Sequence, residues 1–357
     1  MRADLALVGF GHVGQRFARL IAEQADALRT SHDVEPRIVG IATRRHGSVY
    51  AEEGIDVERA LADSAAGRPL EGPGGCPSAA EQLQRLGTAS SPLRVLVETT
   101  TLAIEDGQPA IRHIEAAIDA GCHTVTANKG PVAFAYRRLR DRAAAAGVSF
   151  LFEGAVMDGV PVFNLVRETM PAITVRGFRG VVNSTTNHIL TALENGDAFA
   201  PALARMQAEG IAEADASLDV DGWDAAAKAA ALANVLMDAE LTPHLVERTG
   251  IGPETAERAR SALRRRSRIR LIASAGRDDR GRVVATVRPE ELPLEDLLSG
   301  LRGTANALIL HTDLLGDVAI HQLGGGLTMT AYALLSDLIA IRRRAGHGTG
   351  VLAQPSA

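Results

Sequence analysis

Through residues 1–152, short apolar runs alternate with longer stretches of helical period, the pattern of a parallel sheet wrapped by helices. The runs predict strands at Leu5–Val8, Arg37–Ile41, Leu93–Val97, His123–Thr126 and Val148–Phe152. The periodic stretches predict helices over Val13–Leu28, Ile111–Ala120 and Ala133–Ala146, and Gly121 and Gly147 stand where a glycine commonly closes a helix. Gly67 to Ser78, rich in Gly and Pro, reads as a surface loop. From about Glu153 the pattern changes. A strand is predicted at Val175–Val182, a helix opened by Ser184 and Thr185, and an alanine-rich helix from Trp223 to Asp238. Two more strands, Ala305–His311 and Val318–His321, precede a glycine run and a helix from Thr330 to Arg343.

A chain of 357 residues exceeds what one hydrophobic core usually organises, which favours two domains. Hydrophobic residues at 46% and charged residues at 23% give a globular balance, not a disordered or fibrous one. With 38 Lys and Arg against 43 Asp and Glu, the net charge of -5 offers no general attraction to nucleic acid or anionic lipid. No stretch supplies the roughly 18 apolar residues of a membrane span. Two cysteines, Cys76 and Cys122, are too few for a disulfide framework and suit a reducing, cytoplasmic setting.

Gly9-Phe10-Gly11-His12-Val13-Gly14 is G-x-G-x-x-G between a predicted strand and a predicted helix. In that setting the first glycine allows a tight turn, the second lets a pyrophosphate approach the backbone, and the third admits close helix packing. The second strand ends in Thr43-Arg44-Arg45, where an NAD-selective site places an acid for the ribose hydroxyls. Arg44 and Arg45 suit a 2′-phosphate instead, so NADP is the expected cofactor, with NAD possible.

Glu213, Asp215, Asp219, Asp221 and Asp224 crowd ahead of Lys228. A calcium loop does not fit, because Lys228 occupies the position that needs a bidentate Glu. Asp224 and Lys228, four apart, share one helix face, which fits either a surface ion pair or a functional pair. The face continues through Ala231 and Leu232, which favours partial burial of the lysine, where its proton affinity falls towards a useful range. Lys129, in Thr126-Ala127-Asn128-Lys129-Gly130-Pro131, follows a predicted strand end, the edge at which open α/β sheets bind ligands. Glu153 alone reads as an acid near a helix start at Gly159-Val160-Pro161. His113, His188, His311 and His321 have no metal-ligand spacing.

Several separated segments resemble the homoserine dehydrogenase family over nearly the whole chain: GFGHVG at 9–14, VTANKGP at 125–131, FEGAVMDGVPV at 152–162, VVNSTTNHIL at 181–190, AEADASLDVDGWDAAAKAAALANVL at 212–236 and GGGLTMTAYALLSDL at 324–338. The resemblance implies a Rossmann-type doubly wound sheet in a dinucleotide-binding domain, 1–152, completed by about 304–343. A second α+β domain, 153–303, would bind substrate and form a homodimer, and 344–357 would be a flexible tail. The implied reaction is the reversible, NAD(P)-dependent interconversion of L-homoserine and L-aspartate 4-semialdehyde, on the way to threonine, methionine and isoleucine.

By motif, Lys228 matches the catalytic proton donor and acceptor, Lys129 a second active-site lysine that reaches the cofactor, and Glu213 and Asp224 the residues that hold substrate. Thr100, Gly210 and Gly326 match cofactor contacts. A monovalent cation site, expected to hold a hard ion such as sodium, would fall on Glu153, Val156, Asp158 and Val160, mostly through carbonyl oxygens. Met157 and Asp158 depart from the small residues usual there. The family's C-terminal amino-acid-sensing domain, and feedback control through it, are not expected here, with 19 residues after Leu338. Two other readings stand beside this one: the same fold acting on another amino-acid aldehyde, and a NADP-binding protein without catalysis.

Overall fold

The computed structural model describes residues 1–72, 75, 77–208 and 215–346. They form two compact units: Met1–Asn164 with the described residues from Gly326 onward, and Leu165–Gly325. No helix among the described residues is long and apolar enough to cross a membrane.

The first unit is built on β1 (Arg2–Val8), β2 (Glu35–Ala42), β3 (Ser48–Tyr50), β4 (Leu93–Glu98), β5 (His123–Thr126) and β6 (Phe150–Leu151), in the order β3-β2-β1-β4-β5-β6. β1, β2, β4, β5 and β6 run parallel, and β3 returns antiparallel on β2. The sheet is therefore mixed at one edge, where an all-parallel sheet is expected from the sequence. Alternate residues face opposite ways, as the period of a strand requires. Leu5, Leu7, Val95, Val97 and Val125 join a core with Phe17 and Ile21 of helix His12–Glu23 and with Leu334, Leu338 and Ile341 of helix Leu327–Gly346. Helices Ala79–Thr88 and Ala110–Asp119 also pack against these strands. The stretch read as one helix over Val13–Leu28 is two, separated at Gln24 (φ -104°, ψ 9°), with the second helix Ala25–His32.

The second unit is built on β7 (Val175–Val181), β8 (Glu247–Arg248), β9 (Ser267–Arg277), β10 (Val283–Pro293), β11 (Asn306–Thr312) and β12 (Asp317–Gln322), in the order β12-β11-β7-β9-β10-β8. Its neighbours are antiparallel except β8 on β10. Helices Ser184–Glu194, Trp223–Leu236 and Pro253–Arg264 pack on this sheet. Helix Trp223–Leu236 carries alanine at seven of its ten buried positions, so a strong helix former with little bulk lets the backbone lie close to β9 and β10.

The expected boundary at about 304 moves. β11 and β12 hydrogen-bond into the second sheet through β7, and only the helix that begins at Leu327 belongs with the first unit.

Candidate active site

In the first unit the chain leaves β1 and turns at Gly9, whose φ of +95° and a Cβ that would fall 2.6 Å from the Thr99 carbonyl carbon both demand glycine. Gly14 packs as closely, with a Cβ position 2.7 Å from the Gly9 carbonyl oxygen. Gly11 differs: it is exposed, and nothing lies within 4 Å of where its Cβ would be. It is also the N-cap of helix His12–Glu23 with no side chain capping it, so the first N–H groups of that helix are offered outward. Phe10 is buried, His12 is exposed and Val13 half-buried in the first turn. An open approach over an uncapped helix start is what a dinucleotide pyrophosphate needs, so these residues fit the group.

The adjoining strand ends carry a hydrogen-bonded network. Thr99 Oγ1 donates to the Gly9 carbonyl at 2.8 Å, which ties the β4 terminus to the glycine turn. Glu98, the last residue of β4, is fully buried and accepts from the Thr100 N–H (2.9 Å), the Thr100 hydroxyl and the Thr126 hydroxyl (2.8 Å). Burial outweighs these three donors and pushes its carboxyl up to about 7. Asn128 donates to the Thr100 carbonyl (3.0 Å) and caps helix Lys129–Ala145 by accepting from Gly130 N–H (2.9 Å). Lys129, half-buried, is the first residue of that helix. The glycine turn, Thr100 and Lys129 thus meet along one edge of the sheet. Gly326, exposed and with open space around its Cβ position, precedes helix Leu327–Gly346 of the same unit. Arg44 and Arg45 are exposed in a short loop after β2, closed by Thr43, whose hydroxyl donates to the Gly47 carbonyl and accepts from His46 N–H.

In the second unit Lys228 and Asp224, one helical turn apart, pair at 3.0 Å with each side chain 15% exposed. Lys228 Nζ also donates to the Val182 carbonyl at 2.7 Å. Asn183, buried beside Val182, donates to Asp219 Oδ1 at 2.6 Å and to Asp224 Oδ2 at 2.9 Å. Burial first, and then the Asp224 charge, hold the Asp219 carboxyl above its ordinary value, while the Asn183 hydrogen bond and the Lys228 charge draw it back. The pair is partly buried and tied to the backbone, not a solvated surface one. Glu213 and Gly210 lie outside the described residues, as does Cys76.

The four residues matched to a cation lie in one short loop of the first unit, and its two acidic side chains are already engaged. Glu153, 3% exposed, accepts from the N–H groups of Val162 (2.6 Å), Phe163 (3.0 Å) and Asn164 (2.6 Å), where helix Phe163–Thr169 begins. It is a helix-start acid. Asp158, at φ +48°, accepts from the Thr330 hydroxyl at 3.2 Å. A cation there would depend on main-chain oxygens such as those of Val156 and Val160, and no cluster of three His, Cys, Asp or Glu among the described residues could hold a metal.

Glu98, Asn128, Asn183 and Asp219 are the site residues that sequence reasoning left without a role. The charge ending an apolar run at Leu93-Arg94-Val95-Leu96-Val97-Glu98 and the capping residue type just before Ser184 were the available signals.

Two family models match the chain: "Homoserine dehydrogenase, NAD binding domain" over residues 9–153 and "Homoserine dehydrogenase" over 161–339. A relative from Pseudomonas canavaninivorans, an NAD(+)-dependent homoserine dehydrogenase, is 36% identical over 96% of this chain and 96% of its own. A solved structure of a putative homoserine dehydrogenase from Archaeoglobus fulgidus superposes with a TM-score of 0.83 at 29% identity, covering 95% of this chain and 99% of that one. A hyperthermophilic archaeal homoserine dehydrogenase in complex with NADPH gives a TM-score of 0.78 at 26% identity, covering 96% and 98%.

Proposed function

Because this chain belongs to the homoserine dehydrogenase family, we propose that Lys228 moves the proton in the reversible oxidation of L-homoserine to L-aspartate 4-semialdehyde. The chain is an NAD(P)-dependent oxidoreductase of that family, and its first unit is the NAD(P)-binding one. When bound, the nicotinamide accepts or returns the hydride of the hydroxyl-bearing carbon. In oxidation, neutral Lys228 takes the hydroxyl proton; in reduction, its ammonium returns a proton to the developing alkoxide and stabilises that charge. The observation that carries this reading is the partly buried Lys228, held at 3.0 Å from Asp224 and 2.7 Å from the Val182 carbonyl.

Among the described residues, Asp219 and Asp224, joined by Asn183, set two carboxyl groups near the Lys228 ammonium, an acidic setting that suits the α-ammonium group of an amino-acid substrate. Glu213 enters the same reading by motif as a further carboxylate for substrate. In the first unit Gly9–Gly14, Thr100, Lys129 and Gly326 would hold the cofactor, with Gly210 assigned by motif. NADP is the preferred form in this reading, supported by exposed Arg44 and Arg45. A monovalent cation, sodium before potassium, would be held by main-chain oxygens of the Glu153–Val160 loop. A homodimer formed through the second unit, drawing on the cytoplasmic cofactor pool, completes the proposal; light scattering on the purified protein measures the assembly.

The test is nicotinamide absorbance with purified protein, L-homoserine, and NADP or NAD in turn, at alkaline pH and with sodium and potassium compared. Reduction of NADP ahead of NAD supports both the reaction and the arginine reading. If neither cofactor is reduced and aspartate semialdehyde with NADPH is also inert, the substrate assignment falls.

A further inference from the structure

We propose that Asn183 is a positioning residue for the reaction, aiming Asp224, and through it Lys228, by giving its two amide hydrogens to Asp219 and Asp224. The inference rests on the reading of Lys228 as the proton carrier. The orientation of the amide is settled by its other end. Asn183 Oδ1 accepts from the Thr186 N–H (2.8 Å) and the Thr186 hydroxyl (2.9 Å), as the N-cap of helix Ser184–Glu194. The nitrogen therefore faces the carboxylates, and an NH2 group has two hydrogens for the two oxygens at 2.6 Å and 2.9 Å.

Two consecutive residues thus hold both members of the ion pair. Val182 offers its carbonyl to the Lys228 ammonium, and Asn183 offers an N–H to Asp224. The Asp224 oxygen that takes the Asn183 hydrogen, Oδ2, is the one that faces Lys228 Nζ. Amide and ammonium share that oxygen, so the amide weakens the hold of Asp224 on the Lys228 proton and eases formation of the neutral base. Among the described residues, the ionisable groups bonded to Asn183 are Asp219 of helix Ser217–Val220 and Asp224 of helix Trp223–Leu236, with Lys228 paired to Asp224; His188 lies a turn further along the helix that Asn183 caps.

Asn183→Ser and Asn183→Asp separate this role from capping, because Ser and Asp are both good N-caps. Ser cannot span two carboxylates, and Asp replaces the donor with a third negative charge. Both variants keep the cap and should fold, with Asn183→Asp melting below Asn183→Ser because it buries a third carboxylate beside two. Both should lose at least about tenfold in kcat for L-homoserine, with the cofactor KM unchanged. The ascending limb of the pH profile for oxidation, where Lys228 loses its proton, should move up in each, further in Asn183→Asp. Wild-type kcat and pH profile in two folded variants would overturn the proposal. A second readout does not depend on turnover: in protein labelled with carboxyl-13C aspartate, and with Asp219→Asn for assignment, the Asp219 titration should move to higher pH in Asn183→Ser. An unmoved titration overturns the proposal whether or not the wild type oxidises homoserine, whereas wild-type inertness with a moved titration counts against the reaction alone.

Discussion

The ammonium of Lys228 lies 3.0 Å from Asp224 Oδ2, one turn back along the same helix, with 15% of each side chain exposed. At that burial the anion strongly favours the charged lysine, so removing it eases deprotonation. Asp224→Asn should therefore move the ascending limb of homoserine oxidation to lower pH, the opposite sign to Asn183→Asp. Loss of orientation should cost roughly ten- to a hundredfold in kcat/KM. Steady-state pH profiles of the two variants side by side check the signs.

Gly9 and Gly11 should separate stability from cofactor binding. A methyl at Gly9 meets the Thr99 carbonyl carbon at 2.6 Å in a backbone with φ +95°, so Gly9→Ala should lose about 2 kcal/mol or more of stability. A methyl at Gly11 meets nothing within 4 Å, so Gly11→Ala should melt like the wild type but bind cofactor more weakly. Melting temperature and cofactor dissociation constant, measured on both, decide.

Which parts of this were legible in the sequence follows from how local each signal is. The turn at Gly9–Gly14 and the Asp224–Lys228 pair lie within a few consecutive residues, and spacing alone exposes them. Asn183 joins Asp219 and Asp224 across 36 and 41 residues, and no local period carries that relation. The hairpin of β9 and β10, left unassigned by the pattern, was hidden by charge: Arg270, at 0% exposure in the strand, is neutralised by Glu194 at 2.5 Å, 76 residues earlier. Pro289 within β10 masked it further. The break at Gln24 was invisible because no Gly or Pro marks it. β11 and β12 were recognised as strands, but strand pattern does not say which sheet a strand joins.

Arg44 and Arg45 should govern cofactor choice. Their double replacement by Ser should lower kcat/KM for NADP by roughly ten- to a hundredfold and leave NAD nearly unchanged, since only the 2′-phosphate needs charge-assisted donors. Equal losses with the two cofactors would remove the arginines from this role. Titration with NADP at rising salt provides a further check.

Glu98 should give stability a pH slope. Burial raises its carboxyl from an ordinary 4.5 to about 7, so between those values the folded chain binds more proton than the unfolded one. Stability contributed at this site is therefore full below about 4.5 and falls as pH rises to about 7, by about 3 kcal/mol in all. His123, which burial holds down to about 4, slopes the other way in an overlapping window, but it is common to wild type and variant. Glu98→Gln should thus gain stability relative to wild type as pH rises through this range, measured by urea unfolding at several pH values. A difference independent of pH would contradict the assignment.

The most direct measurement is L-homoserine oxidation by Lys228→Ala beside the wild type, with cofactor affinity taken from nicotinamide fluorescence in the same samples. The account predicts a fall in kcat of roughly 10²- to 10⁴-fold, the usual worth of a positioned general base, with cofactor affinity unchanged. Wild-type turnover in Lys228→Ala would contradict it.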